Sequence, residues 1–218
     1  MNTTMTIKPI ETEYNGHKFR SRLEARWAVF FDEIGADWTY EEEGYELLDG
    51  TRYLPDFHLY NIRGRGRGYD GRNDIWVEVK GVMTAEDARK IELFAWPRNT
   101  ADEEAFELHN PIIVFGNMPK LSDRVCLDDF PEFKRQFSEC SQYDDMYYNL
   151  RYSEPDEYYT YPVAGKGGGV VFEYPDDPWD YVDRKLTLEA YKKAAQARFE
   201  YGETPKGDQK WRRYDSAC

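Results

Sequence analysis

Two short stretches of the sequence carry residues that could perform metal-assisted chemistry. The first places Asp56 directly after Pro55, and the second places Glu78 two residues before Lys80. Two carboxylates held close together repel each other, and a divalent cation that prefers oxygen ligands, such as Mg²⁺ or Mn²⁺, removes that repulsion. A neighbouring lysine can orient an attacking water or stabilise negative charge in a transition state. These residue types therefore predict a metal site.

Both stretches are predicted to be β-strands, and this is what would bring the side chains together. The alternating run Ile75 to Lys80 indicates a strand that Gly81 ends, and the residues after Asp56 continue as a strand. Side chains at i and i+2 share one face, so Glu78 and Lys80 point to the same side. If the two strands pair, Asp56 and Glu78 converge on one point. His58 is expected to point to the opposite face from Asp56.

The spacing also resembles a known signature. The Pro-Asp pair at 55–56, followed by the Glu-Val-Lys run at 78–80, resembles the motif of the PD-(D/E)XK nuclease superfamily. The resemblance covers residues 14–116, and small phage and bacterial members of the superfamily are the most similar. It implies an α/β fold with a mixed sheet and a restriction-endonuclease-like core with flanking helices. The acidic insertion that we expect after this core has no counterpart in the resemblance and is inferred from its charge.

The resemblance implies a Mg²⁺-dependent deoxyribonuclease, in which Mn²⁺ can replace Mg²⁺. Asp56 and Glu78 would hold the metal with the carbonyl of Val79, and Lys80 would support the nucleophile. Glu24 corresponds to an acidic residue on the first helix that often completes the metal site, so it is a fourth catalytic and metal-binding candidate. Endonuclease or exonuclease action, DNA or RNA as substrate, and any sequence preference stay open.

Glu24 also has a purely structural interpretation. Apolar residues recur at helical spacing from Ser21 to Ile34, and Ser21 followed by Glu24 matches a capping box. Gly35 is a suitable residue to end this helix. The capping role and the metal role are compatible, and the sequence leaves both open.

A loop rich in Gly and Arg joins the two predicted strands. Arg63, Arg65 and Arg67 could bind nucleic-acid phosphates beside the site, or they could belong to a solvated loop. Lys90, on the helix that Thr84 is expected to cap, could also contact the nucleic-acid backbone, although an ordinary surface lysine is the alternative. We predict DNA contacts at these four basic residues.

The order of elements predicts one small α/β domain followed by additions. The nuclease-like core is predicted over residues 1–120, an acidic Tyr-rich insertion over 121–183, and a C-terminal helix and tail over 184–218, packed on the core. The expected elements are a helix at 21–34, strands or hairpins at 38–40, 45–59, 75–80 and 111–115, a hairpin with a Gly-rich tip at 158–174, and a helix at 186–201.

Charge and composition restrict the partners. The net charge is −13, but residues 122–183 carry 5 Lys and Arg against 15 Asp and Glu, so the acidity is concentrated there. DNA binding elsewhere is compatible with this distribution. The alternative function is a phage-type interaction or inhibitor protein on a nuclease scaffold, which binds a host protein through residues 122–183. We expect a cytoplasmic location without membrane contact, and a homodimer is an open possibility.

Overall fold

The computed structural model describes residues 10–64, 74–95, 110–118, 161–173 and 183–199. This part of the chain forms a mixed α/β structure with three helices, one four-stranded sheet and several small hairpins. Most of the acidic segment lies outside it. None of the helices in the described ranges has the length and apolar character needed to cross a membrane.

The helices and strands are as follows, in chain order. The helices are α1 (Arg22–Ile34), α2 (Ala85–Ala95) and α3 (Arg184–Gln196). The strands are β1 (Thr12–Tyr14), β2 (His17–Phe19), β3 (Asp37–Tyr40), β4 (Tyr45–Glu46), β5 (Arg52–Tyr53), β6 (Phe57–Tyr60), β7 (Arg63–Gly64), β8 (Asp74–Val79), β9 (Ile112–Phe115), β10 (Tyr161–Ala164) and β11 (Val170–Glu173).

The central sheet has the strand order β3-β6-β8-β9. Strand β6 pairs antiparallel with β3 and β8, whereas β8 and β9 are parallel. Strand β9 is buried at all four positions and β8 at all but its first residue. That pattern is typical of strands covered on both faces, so β8 lies in the middle of the structure.

Apolar side chains cover the two faces of this sheet in separate clusters. On one face, α1 and α3 pack on the sheet and on each other: Trp27 stacks on Phe115 at 4.4 Å, and Phe30 stacks on Tyr191 at 4.2 Å between ring centroids. On the other face, α2 covers the sheet through a cluster that contains Phe94. The sheet and the helices that cover its two faces thus hold the start of β6 and the end of β8 in place.

Helix α1 begins and ends as its sequence predicts. The Ser21 side chain accepts a hydrogen bond from the Glu24 amide at 3.2 Å, which confirms the N-cap. Gly35 ends the helix in the left-handed region at φ 68°, and its N–H donates to the carbonyl of Asp32 at 3.1 Å. A side chain at this φ would be strained, so glycine suits this end of the helix.

Two of the expected elements differ in extent. Instead of one hairpin over 45–59, β4 pairs with the short strand β5, and the separate strand β6 pairs with β3 and β8. The break falls at Pro55, which has no N–H to continue a strand ladder. Helix α3 ends at Gln196, before the predicted 201. The predicted Gly-rich hairpin tip is confirmed between β10 and β11.

Candidate active site

Asp56 and Glu78 converge because β6 and β8 are neighbours. The register places Phe57 opposite Val77, so one further step along both strands places Asp56 opposite Glu78. Each of the two residues is only 3% exposed. Val77 and Val79 point into the apolar cluster beneath α1, as the alternation predicts. The sequence-based expectation that the strands meet is confirmed.

Pro55 shapes the edge of the sheet at this point. Continuation of the register would place Pro55 opposite Val79, where the ladder stops because proline has no N–H. The Val79 N–H donates instead to Asp56 Oδ2 at 2.7 Å. In a strand, the N–H and C=O of one residue face the same neighbour. The Val79 carbonyl therefore faces the Asp56 side, where Pro55 cannot donate to it.

Two groups hold the Glu78 carboxylate. The Tyr53 hydroxyl donates to Glu78 Oε2 at 2.8 Å, and Lys80 Nζ lies 2.8 Å from Glu78 Oε1. Lys80 also lies 3.3 Å from Asp87 Oδ1 on α2. Sequence reasoning missed Tyr53, because an aromatic residue beside a short strand indicates core packing in the first place. The orientation of Glu78 is therefore fixed from both sides.

Burial and neighbouring charges shift the pKa values of Asp56 and Lys80. Burial raises the pKa of Asp56 well above its usual range, and the charges of Glu78 and Glu24 raise it further, against the Val79 hydrogen bond and Arg20. For Lys80, burial alone would lower the pKa, but the neighbouring Glu78 and other carboxylates outweigh it and raise the pKa. The lysine is thus held in its charged form, whereas the buried Asp56 carboxyl holds its proton more readily than an exposed one.

Glu24 is tied down by hydrogen bonds at the start of α1. Its Oε1 accepts from the Ser21 hydroxyl at 2.6 Å, and its Oε2 accepts from the Tyr40 hydroxyl at 2.6 Å and from the Arg20 amide at 3.0 Å. The Ser21 cap on the Glu24 amide is confirmed, but the returning bond of a capping box runs from the Arg20 amide, one residue before the cap, to the Glu24 carboxylate. Glu24 is also near enough to Asp56 for its charge to raise that pKa. Its role in binding metal stays a prediction.

Arg20 is a second residue that sequence reasoning missed. Its Nη2 lies 2.7 Å from Asp56 Oδ1, and its Nε lies 2.6 Å from Glu41 Oε1. The Arg20 side chain is 55% exposed while the Asp56 side chain is 4% exposed, so the guanidinium covers the carboxylate from the solvent side. Arg20 precedes the helix cap, and no local spacing in the sequence relates it to Asp56.

His58 does not point away from the face of Asp56, so that expectation was wrong. His58 lies opposite Trp76 in the register, as Asp56 lies opposite Glu78, and residues two apart share a face. The His58 ring stacks on Trp76 at 3.8 Å, and its nitrogens lie 2.9 Å from Asp74 Oδ2 and 3.1 Å from Glu42 Oε2. These contacts place it farther along the sheet than the carboxylate pair.

The predicted DNA contacts are only partly within the described residues. Arg63 begins β7, which pairs in parallel with β11, while Arg65 and Arg67 lie outside the described residues. Lys90 lies on α2 and contacts Glu86 Oε1 at 2.6 Å, a pairing that is common on helix surfaces. Binding of nucleic acid by these residues stays a prediction.

The donor set at the site fits a small divalent cation. Within the described ranges, no three His, Cys, Asp or Glu side chains stand together as a ready metal-binding group. Asp56 and Glu78 are nevertheless buried carboxylates near each other, the charge of Glu78 helps to raise the pKa of Asp56, and the Val79 carbonyl faces the same side. Oxygen donors of this kind are those that Mg²⁺ and Mn²⁺ prefer. Comparison of the chain with protein-family models, with curated proteins and with solved structures gives no match.

Proposed function

We propose that the protein is a metal-dependent nuclease that hydrolyses phosphodiester bonds of DNA, with a restriction-endonuclease-like core. The observation that supports this most is that two buried carboxylates, Asp56 and Glu78, lie where β6 begins and β8 ends, beside the Lys80 ammonium. Arg20 and Lys80 each pair with one of the two carboxylates, yet burial and the charges of Glu78 and Glu24 still raise the pKa of Asp56. Burying this many carboxylates together is costly, and a divalent cation would lower that cost.

Each residue has a distinct part in the proposed reaction. Asp56, Glu78 and the Val79 carbonyl would hold Mg²⁺, which supplies a Lewis acid for a phosphate oxygen and lowers the pKa of a bound water. The Lys80 ammonium, fixed by Glu78, orients the attacking water and stabilises the charge that develops on the phosphate. The Tyr53 hydroxyl keeps the Glu78 carboxylate in the orientation that the site requires.

The decisive experiment is a cleavage assay with the full-length protein. Plasmid and single-stranded DNA should be cleaved with Mg²⁺ or Mn²⁺, and a chelator should stop the reaction. Asp56→Ala and Lys80→Ala should each reduce the rate by roughly 10³-fold, because each removes a group that acts at the reacting phosphate. Lys185→Ala is the matched control, since Lys185 is 86% exposed and pairs only loosely with Glu189 at 3.9 Å. A folded wild-type protein that cleaves neither DNA nor RNA would contradict the proposal.

The concentration of negative charge in residues 122–183 favours a second candidate function, the binding of a host protein by a nuclease-like scaffold. This function requires no hydrolysis. It predicts that Lys80→Ala keeps the full biological effect of the protein, whereas neutralisation of acidic residues in 122–183 removes it. If the protein is a nuclease, Lys80→Ala should remove the biological effect in the same assay, and neutralisation of acidic residues in 122–183 should keep it.

A further inference from the structure

The Arg20 guanidinium occupies the solvent side of the carboxylate pair. Its contact with Asp56 Oδ1, at 2.7 Å, is made to one of the atoms that would bind the metal under the proposed function. A divalent cation and the guanidinium would repel each other there, because both are positively charged and would share one oxygen. Binding of the cation at this oxygen therefore competes with the Arg20 contact.

The backbone of Arg20 is fixed independently of its side chain. Its amide donates to Glu24 Oε2 at 3.0 Å and to the Tyr40 hydroxyl at 3.1 Å. Only the side chain, which is more than half exposed, is therefore available to move. Release from Asp56 would change rotamers of this side chain without disturbing the start of α1.

Glu41 offers the guanidinium a second anchor. Arg20 Nε lies 2.6 Å from Glu41 Oε1, and the Glu41 amide donates to the carbonyl of Asp56 at 2.9 Å. Glu41 has a φ of 47°, a conformation that costs energy for a residue with a side chain. The turn thus holds a carboxylate beside the site, where it keeps the guanidinium near after Asp56 is released.

We propose that Arg20 is an exchangeable counter-ion: it neutralises Asp56 when no divalent cation is bound, and on cation binding it turns, still held by Glu41, to bind a phosphate of the nucleic acid. This inference rests on the proposed function. The guanidinium suits the second role because its planar set of donors matches the oxygens of a phosphate. Cation binding and nucleic-acid binding become coupled through one side chain.

The first test measures binding of Mn²⁺ alone to the full-length protein by calorimetry. Arg20→Gln removes the competing charge, so Mn²⁺ should bind about 5- to 10-fold more tightly than to the wild type. Lys185→Gln, which removes an exposed charge elsewhere, should leave the affinity unchanged. An unchanged or weaker Mn²⁺ affinity in folded Arg20→Gln overturns the exchange.

The second test measures the coupling. A labelled oligonucleotide is titrated with and without Ca²⁺, an oxygen-binding cation chosen for equilibrium binding. The gain in affinity that Ca²⁺ produces should be about tenfold in the wild type and should fall to about threefold or less in Arg20→Gln. Equal gains in the two proteins would show that Arg20 does not transfer to phosphate.

Two further outcomes separate the hypotheses. If Arg20→Gln does not fold, Arg20→Lys replaces it: the lysine side chain lacks the separate Nε and Nη2 donors with which Arg20 contacts Glu41 and Asp56, so its hold on Asp56 is weaker and Mn²⁺ should bind about threefold more tightly. An unchanged affinity overturns the exchange. If the wild-type protein binds Mn²⁺ and cleaves DNA, and the Arg20 variant binds Mn²⁺ with the same affinity, this inference alone is overturned. A wild-type protein that binds no Mn²⁺ overturns the proposed function with it.

Discussion

Replacement of Asp56 by asparagine should stabilise the metal-free protein while it abolishes DNA cleavage. The wild-type carboxylate is buried beside Glu78 and Glu24, which raises its pKa and makes its charged form unfavourable in the folded state. Asparagine has nearly the same shape without the charge. A residue whose replacement raises the free energy of unfolding indicates a functional site, since stability and activity commonly oppose each other there.

The expected size of the effect follows from the contacts of Asp56. The substitution loses the Arg20 contact, which is worth about 1 kcal/mol or less because the guanidinium is half exposed, and it weakens the bond from the Val79 amide by about 0.5–1 kcal/mol. It also removes a buried carboxylate and its repulsion from two others, and the loss of this unfavourable term stabilises the folded state by several kcal/mol. The net gain in unfolding free energy at neutral pH is about 1–3 kcal/mol, or roughly 3–8 °C in Tm.

The gain should depend on pH with a definite sign. Because the folded-state pKa of Asp56 is raised above the unfolded value of 3.8, the folded protein binds more protons than the unfolded chain between the two values. In that window the unfolding free energy of the wild type falls as pH rises. The stability difference between Asp56→Asn and wild type is therefore largest at neutral pH and shrinks as the solution is acidified toward 3.8.

The assay is urea denaturation of both proteins with a chelator present, at several pH values from neutral downward. Asp37→Asn is the matched control, because Asp37 is exposed and its replacement should change stability by no more than about 0.5 kcal/mol. Addition of Mg²⁺ should stabilise the wild type but not Asp56→Asn. A destabilised Asp56→Asn at neutral pH, or a stability difference that does not vary with pH, would refute the reasoning.

Three further substitutions have separate expected results. Tyr53→Phe removes the hydroxyl that donates to Glu78 Oε2, so calorimetry should show Mn²⁺ affinity about 10-fold weaker while the fold is kept; an unchanged affinity would exclude a positioning role. Gly35→Ala places a side chain at φ 68°, and urea denaturation should show a loss of about 1 kcal/mol with cleavage unchanged. Ser21→Ala removes the cap of α1 and one bond to Glu24, and should cost about 1 kcal/mol in the same measurement; no loss of stability would argue that the cap is energetically unimportant.

The parts of the site that depend on local periodicity were predictable. Alternation in β8 placed Glu78 and Lys80 on one face, and the capping pattern placed Ser21 and Glu24 at the start of α1. Pairing of β6 with β8 could be expected because a short connection, which contains only the two-residue strand β7 among its described residues, separates them along the chain. The face of Glu78 and Lys80 and the cap at Ser21 follow from spacing of a few residues within a single element.

The parts that depend on contacts between distant residues were not predictable. Arg20 and Tyr53 reach the carboxylates across 36 and 25 positions of the sequence, and neither lies in a pattern that specifies its partner. The error over His58 was one of periodicity: Asp56 and His58 are two residues apart on one predicted strand, so alternation puts both on one face.

The pairing of β7 with β11 has a consequence for the order of events during synthesis. Arg63 lies opposite Val171, so the segment that leaves β6 is fixed in place only after much of the chain has left the ribosome. The antiparallel pair that holds Asp56 and Glu78 needs only residues up to 79 and can form earlier. The carboxylates would then come together in the nascent chain before the segment at the opposite end of β6 pairs with β11.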